Sequence, residues 1–108
     1  MCWEKATAGV ALESALADCD AALAKSPDVA AYLDSRAFVM LRLGRLDEAI
    51  AGYTRAIHAA PRQAASLYGR GVAWSRKGDK AQAAADQAAA LKIDANVRTE
   101  FETYGVTN

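Results

Sequence analysis

Small and apolar residues recur at intervals of three and four on both sides of Gly44. Leu33, Ala37 and Met40 precede the glycine, and Ala49, Tyr53, Ala56 and Ile57 follow it. Each run makes one apolar stripe of a helix. Two helices joined by a short turn lie antiparallel, stripe to stripe. Ala37 and Ala49 are small enough to let the two backbones approach. Pro61 stops the second helix or opens the next. Residues 30–61 therefore predict a helical hairpin.

The pattern returns 34 residues later. Leu33, Arg36, Met40, Gly44, Ala49 and Ala56 are answered by Leu67, Arg70, Trp74, Gly78, Ala83 and Ala90. One period earlier, Ala15, Ala22, Leu23 and Pro27 answer Ala49, Ala56, Ile57 and Pro61. A helix–turn–helix unit of this period resembles the tetratricopeptide repeat. That family's large, small, large, Ala, aromatic, Ala and Pro positions fall on Leu33, Ala37, Met40, Ala49, Tyr53, Ala56 and Pro61. In the following repeat they fall on Leu67, Gly71, Trp74, Ala83, Gln87, Ala90 and Ala95. Gln87 and Ala95 depart from the signature, as in a last repeat, where less packs behind it. The resemblance spans about residues 11–95. It implies an all-α fold, a right-handed superhelical array of antiparallel helix pairs. A single domain, 1–108, divides into a partial first repeat (1–27), a second (30–63), a third (64–97) and a C-terminal capping helix (97–105).

Local signals place the helices. Residues 11–25 bury Leu12, Ala15, Leu16, Cys19, Ala22 and Leu23. Ser26-Pro27-Asp28 reads as an N-cap, a first-turn proline and an acid at the positive pole, so a helix is expected over 27–43. Further helices are expected over 46–59, 62–77 and 80–92, the last capped by Asp79. Val97, Phe101 and Tyr104 share one face of a short final helix. That face is expected to cover the back of the helices at 62–77 and 80–92, since a terminal repeat needs a cover. Residues 1–10 read as the end of a first helix stopped by Gly9, with Trp3 near Ala15 and Leu16. By periodicity the chain begins inside a repeat.

Composition narrows the function. Thirteen basic and thirteen acidic residues balance, so no general pull toward nucleic acid or an anionic membrane is expected. No run of about 18 apolar residues predicts a membrane span. Cys2 and Cys19 are not in a metal-binding spacing, and one histidine cannot complete a zinc quartet with them. Their helices are expected to be neighbours, which leaves open both a Cys2–Cys19 disulfide and two buried thiols. A cytoplasmic location is the default. A disulfide, or release from a longer precursor, implies a periplasmic or secreted one. Gly69, Gly71 and Gly78 do not have phosphate-loop spacing. His58 lies in the last turn of its helix, where a base suits the dipole, with no nucleophile or acid beside it in sequence. The chain is read as a non-enzyme without cofactors.

The resemblance implies where binding occurs. In the family, the first helix of each pair lines a concave groove. The matching positions here include Asp34, Ser35, Phe38 and Arg42 in one repeat, and Tyr68, Val72, Ser75 and Arg76 in the next. They imply an apolar floor from Phe38 and Val72, an aromatic handle from Tyr68 and a basic edge from Arg42 and Arg76. Glu102 and Thr103 are expected at one wall. A protein or peptide segment with an apolar side chain, and a carboxylate as an option, fits such a groove. Family members that clamp heat-shock chaperone tails need Lys and Asn where this chain has Asp34, Phe38, Ser35, Tyr68 and Gly69, so that partner is rejected. The alternative is a structural segment of a longer repeat protein that self-associates, as a homodimer through the end bearing Cys2 and Trp3.

Overall fold

The computed structural model describes Trp3 and residues 11–108. Among residues 11–108 six helices follow one another: α1 (Leu12–Lys25), α2 (Ala30–Arg42), α3 (Leu46–Ala59), α4 (Ala64–Lys77), α5 (Lys80–Ile93) and α6 (Val97–Thr103). The described residues contain no strand. Helices α1 to α5 each pack on the next, and α6 packs on α4 and α5.

The connections repeat with the period of the sequence. After α2, Gly44 at φ 78° closes the helix: its N–H donates to the Leu41 carbonyl, and Arg45 N–H donates to Met40. After α4, Gly78 at φ 96° does the same, donating to Ser75, while Asp79 donates to Trp74. This left-handed C-cap favours a residue without Cβ. The longer turns also match. Ser26, Ala60 and Asp94 donate to Ala22, Ala56 and Ala90, and Val29, Gln63 and Val97 donate to Ser26, Ala60 and Asp94. Corresponding bonds lie 34 residues apart throughout, so the repeat is one of backbone geometry as well as composition.

These turns correct the expected helix starts. Ser26 caps the end of α1 instead of opening α2, and α2 starts at Ala30 behind Val29. The residues from Ser26 to Val29 are used in the turn that redirects the chain, so Pro27 rigidifies a loop. Likewise α4 starts at Ala64 and not at Arg62. Asp79 does cap α5, its carboxylate accepting from Gln82 N–H at 3.1 Å.

The core is made by close approach around a few large side chains. Ala15, Ala37, Ala49, Ala56 and Ala90 are all buried, with Phe38, Met40, Tyr53 and Val72 between them. At the α3–α4 crossing the Tyr53 ring lies flat on Gly69. A Cβ there would stand 2.4 Å from Tyr53 Cζ, so only glycine fits without displacing a fully buried ring. Arg36 and Arg70, one period apart, brace adjacent helices. Arg36 Nε reaches Asp20 at 2.6 Å, and Arg70 grips Asp86 with two bonds of 2.7 and 2.9 Å.

Candidate functional site

Of the eight residues expected to line a groove on α2 and α4, four meet one and the same segment of the chain, Phe38, Arg42, Tyr68 and Arg76, and most of the eight are not open to solvent. Asp34, Ser35, Phe38, Tyr68, Val72 and Ser75 are buried. Arg42 is half-buried, and Arg76 is exposed. The chain's own C-terminal segment lies against this face. Phe101 and Val106 are buried, Tyr104 is half-buried, and Glu102 and Thr103 point to solvent.

The contact begins with rings. Phe101 lies 4.9 Å from Tyr68 and 5.7 Å from Phe38, centroid to centroid, the latter edge-on at 89°. Tyr104 meets Phe38 at 5.7 Å, and Trp3 closes the cluster at 5.3 Å from Phe38. Edge-to-face and tilted geometries place positive ring edges on negative faces. The expected cover therefore falls on the aromatic floor of the first helices as well as on α5. The reason is supply: α5 offers a row of alanines, whereas Phe38 and Tyr68 offer large complementary surfaces. Trp3, expected near Ala15 and Leu16, has its ring partners here, in Phe38 and Tyr104.

The contact ends with two arginines. Arg42 Nη2 donates to the Tyr104 carbonyl, and its guanidinium sits 5.2 Å over the Phe38 ring. Arg76 donates to the Thr107 carbonyl from Nε at 3.1 Å and Nη2 at 2.8 Å. Burial, followed by the nearby charge of Arg76, lowers the Arg42 pKa from its ordinary value. Between these clamps the chain turns at Gly105, φ 76°, with Val106 N–H donating to Phe101. Ser75 is occupied separately, its hydroxyl accepting from Lys80 Nζ at 3.0 Å.

Asp34 sits within the layer between repeats. It accepts a 2.8 Å bond from the Ser66 hydroxyl, and the Tyr53 hydroxyl, buried nearby, has no hydrogen-bond partner among the described residues. Burial pushes the Asp34 carboxyl from 3.8 up to about 6, against the opposing pull of the Ser66 bond. Between those values the folded chain keeps a proton that the unfolded chain has released. Asp34 therefore costs nothing near pH 4 and progressively more as pH rises through 6. Its cost is roughly 3 kcal/mol at neutral pH, at about 1.4 kcal/mol per unit. Asp34→Asn removes the charge. Urea unfolding is expected to show the variant gaining roughly 2–3 kcal/mol on the native chain between pH 4 and 7.5. A stability difference that does not vary with pH refutes the buried, protonated aspartic acid.

Other candidates fall away from this face. His58 is exposed, beside an open depression lined by Asp28, Leu33, Thr54 and Arg55. Among the described residues no group of three or more His, Cys, Asp or Glu is placed to hold a metal ion. Cys19 is fully buried and is not a free thiol. Cys2, its candidate partner, lies outside the described residues, as does the expected stop at Gly9. No helix among the described residues is long and apolar enough to cross a membrane.

Sequence reasoning missed the segment 104–107 as part of the site. Its only signal was Gly105 directly after the aromatic stripe, which marks a reversal back toward the helices. No family model matches the chain, and none of the curated proteins is similar to it.

Proposed function

We propose that the chain is a tetratricopeptide-type, non-catalytic interaction scaffold that takes a protein or peptide segment on the face formed by α2 and α4. In this reading the helix pairs belong to a right-handed superhelical array, and that face is its concave side. The 34-residue register of the turns supports the repeat assignment. The observation that carries the binding assignment is that this face already holds a stretch of polypeptide, residues 101–107, by ring packing and by arginine bonds to main-chain carbonyls. A surface that accepts one such segment has the shape and donors to accept another.

A structural role inside a longer repeat protein is the second reading. It is favoured by the exposure of Trp3, Val29 and Tyr32, three large apolar side chains that another copy can cover.

Arg42 and Arg76, at the edge of the face, test the first reading. Replacing both by glutamate sets carboxylates against any main-chain carbonyl brought to this face. Capture of the partner from a lysate of the source organism is expected to fall at least tenfold for Arg42→Glu/Arg76→Glu, with the helical spectrum unchanged. Undiminished capture places binding elsewhere.

A further inference from the structure

We propose that residues 101–107 are a resident surrogate for the partner, and that the partner segment carries the same chemistry: an aromatic ring at one position and main-chain carbonyls three and six residues later, with a reversal between them. This rests on the binding reading above.

Much of the segment is held through its main chain. Arg42 and Arg76 address the carbonyls of Tyr104 and Thr107, groups that any peptide offers. Side-chain recognition is concentrated in Phe101, which is 2% exposed, with Tyr104 at its flank and Val106 behind. Arg98, Thr99, Glu100, Glu102 and Thr103 are all exposed. The recognition rule is therefore an aromatic anchor, flanked by a second ring and a buried apolar side chain, plus backbone, and a second chain offering these satisfies it as well as the first.

The segment is also built to leave. Helix α6 has seven residues, fewer than the dozen or so at which an isolated helix begins to hold its form. It joins α5 through a short turn, and residues 104–108 continue from it without helical structure. Its tether supplements the ring and arginine contacts by supplying the segment to the face at an effective concentration on the order of millimolar. A partner must outcompete that tether, so docking of the segment and docking of a partner exclude each other. The apparent affinity for the partner is the intrinsic one scaled by the fraction of molecules with the face open.

The test uses full-length chains and a fluorescent peptide of residues 96–108 as probe. Two variants open the face. Phe101→Ala removes the anchor. Gly105→Val puts a β-branched residue at φ 76°, straining the reversal while leaving every ring in place, and it carries the test if the first variant does not fold. Both folded variants are expected to bind the peptide at least tenfold more tightly than the native chain does, by anisotropy. Adding Arg76→Glu to Gly105→Val is expected to abolish that binding, as is replacing the peptide's phenylalanine by alanine. No gain in either folded variant overturns the surrogate. If partner capture is still lost in Arg42→Glu/Arg76→Glu, the binding face itself survives that result. Peptide binding that ignores Arg76→Glu places the peptide elsewhere and overturns both. A native chain whose mass doubles with concentration, and halves again on Phe101→Ala, makes the occupant a second copy and overturns the partner chemistry.

Discussion

Phe101→Ala lowers the unfolding free energy by roughly 2–4 kcal/mol, within the range for truncating a buried aromatic. The ring is almost wholly buried and has three aromatic neighbours, Tyr68 at 4.9 Å, Phe38 at 5.7 Å and Tyr104 at 6.2 Å. Each such pair adds about 0.5–1.5 kcal/mol beyond the buried area. The loss has a ceiling, however. A short terminal helix undocks by itself, so truncation cannot cost more than docking contributes before the rest of the chain must open. The urea midpoint should therefore drop while the helices α1 to α5 still unfold as one. An unchanged midpoint contradicts the packing described for α6.

Arg70→Met is expected to cost roughly 2–4 kcal/mol, and Arg36→Met less than about 1 kcal/mol. The two arginines occupy the same position of successive repeats, and each bridges to a carboxylate sixteen residues away. Solvent separates them. Asp86 is buried against α4, held by two bonds from Arg70, whose Nη1 also lies 3.3 Å from Thr54. Removing Arg70 leaves that carboxylate dry and unpaired, which is the costly case. Asp20 is half in water and resolvates when Arg36 is lost, which is the inexpensive case. The hydrogen bonds that Arg70 donates to Asp86 also raise the Arg70 pKa, in keeping with a pair held in the charged form. Unfolding curves for the two variants, measured side by side, decide the matter; equal losses contradict the burial assigned to Asp86.

The repeat was legible because it is written twice over, in spacing and in punctuation. Gly44 and Gly78 mark turns in the sequence, and both adopt the left-handed conformation that demands glycine. Tyr53, Ala49 and Ala56, read as one stripe, are buried together. The turn at Ser26-Pro27-Asp28 was misread because its residues suit a helix start and a tight turn equally well. Hydrogen bonding to Ala22 and from Val29 settled which it became.

The candidate site was legible by half. The tetratricopeptide resemblance, and not periodicity, groups Phe38, Arg42, Tyr68 and Arg76, and these four all meet residues 101–107 in the structure. Periodicity carries no address. Val97, Phe101 and Tyr104 form a stripe expected to cover the helices at 62–77 and 80–92, and α6 does pack on both, but the choice of Phe38 on α2 as a further partner is not written in their spacing. That choice follows from the distribution of bulk: aromatic rings on α2 and α4, alanines on α5. Asp34 and Ser66 illustrate the same limit. Asp34 is expected in the groove and Ser66 carries no expectation, and only their juxtaposition across 32 residues makes a buried bond of them.

The most direct test of the binding face compares three chains in one capture experiment: the native protein, Arg42→Glu/Arg76→Glu, and Arg55→Glu/Arg62→Glu. The last pair is exposed and outside the face, and its reversal changes net charge by the same amount. The account predicts that the partner held by the native chain is retained by the outer variant and lost by the inner one. Loss from both variants, or from neither, contradicts a site on α2 and α4.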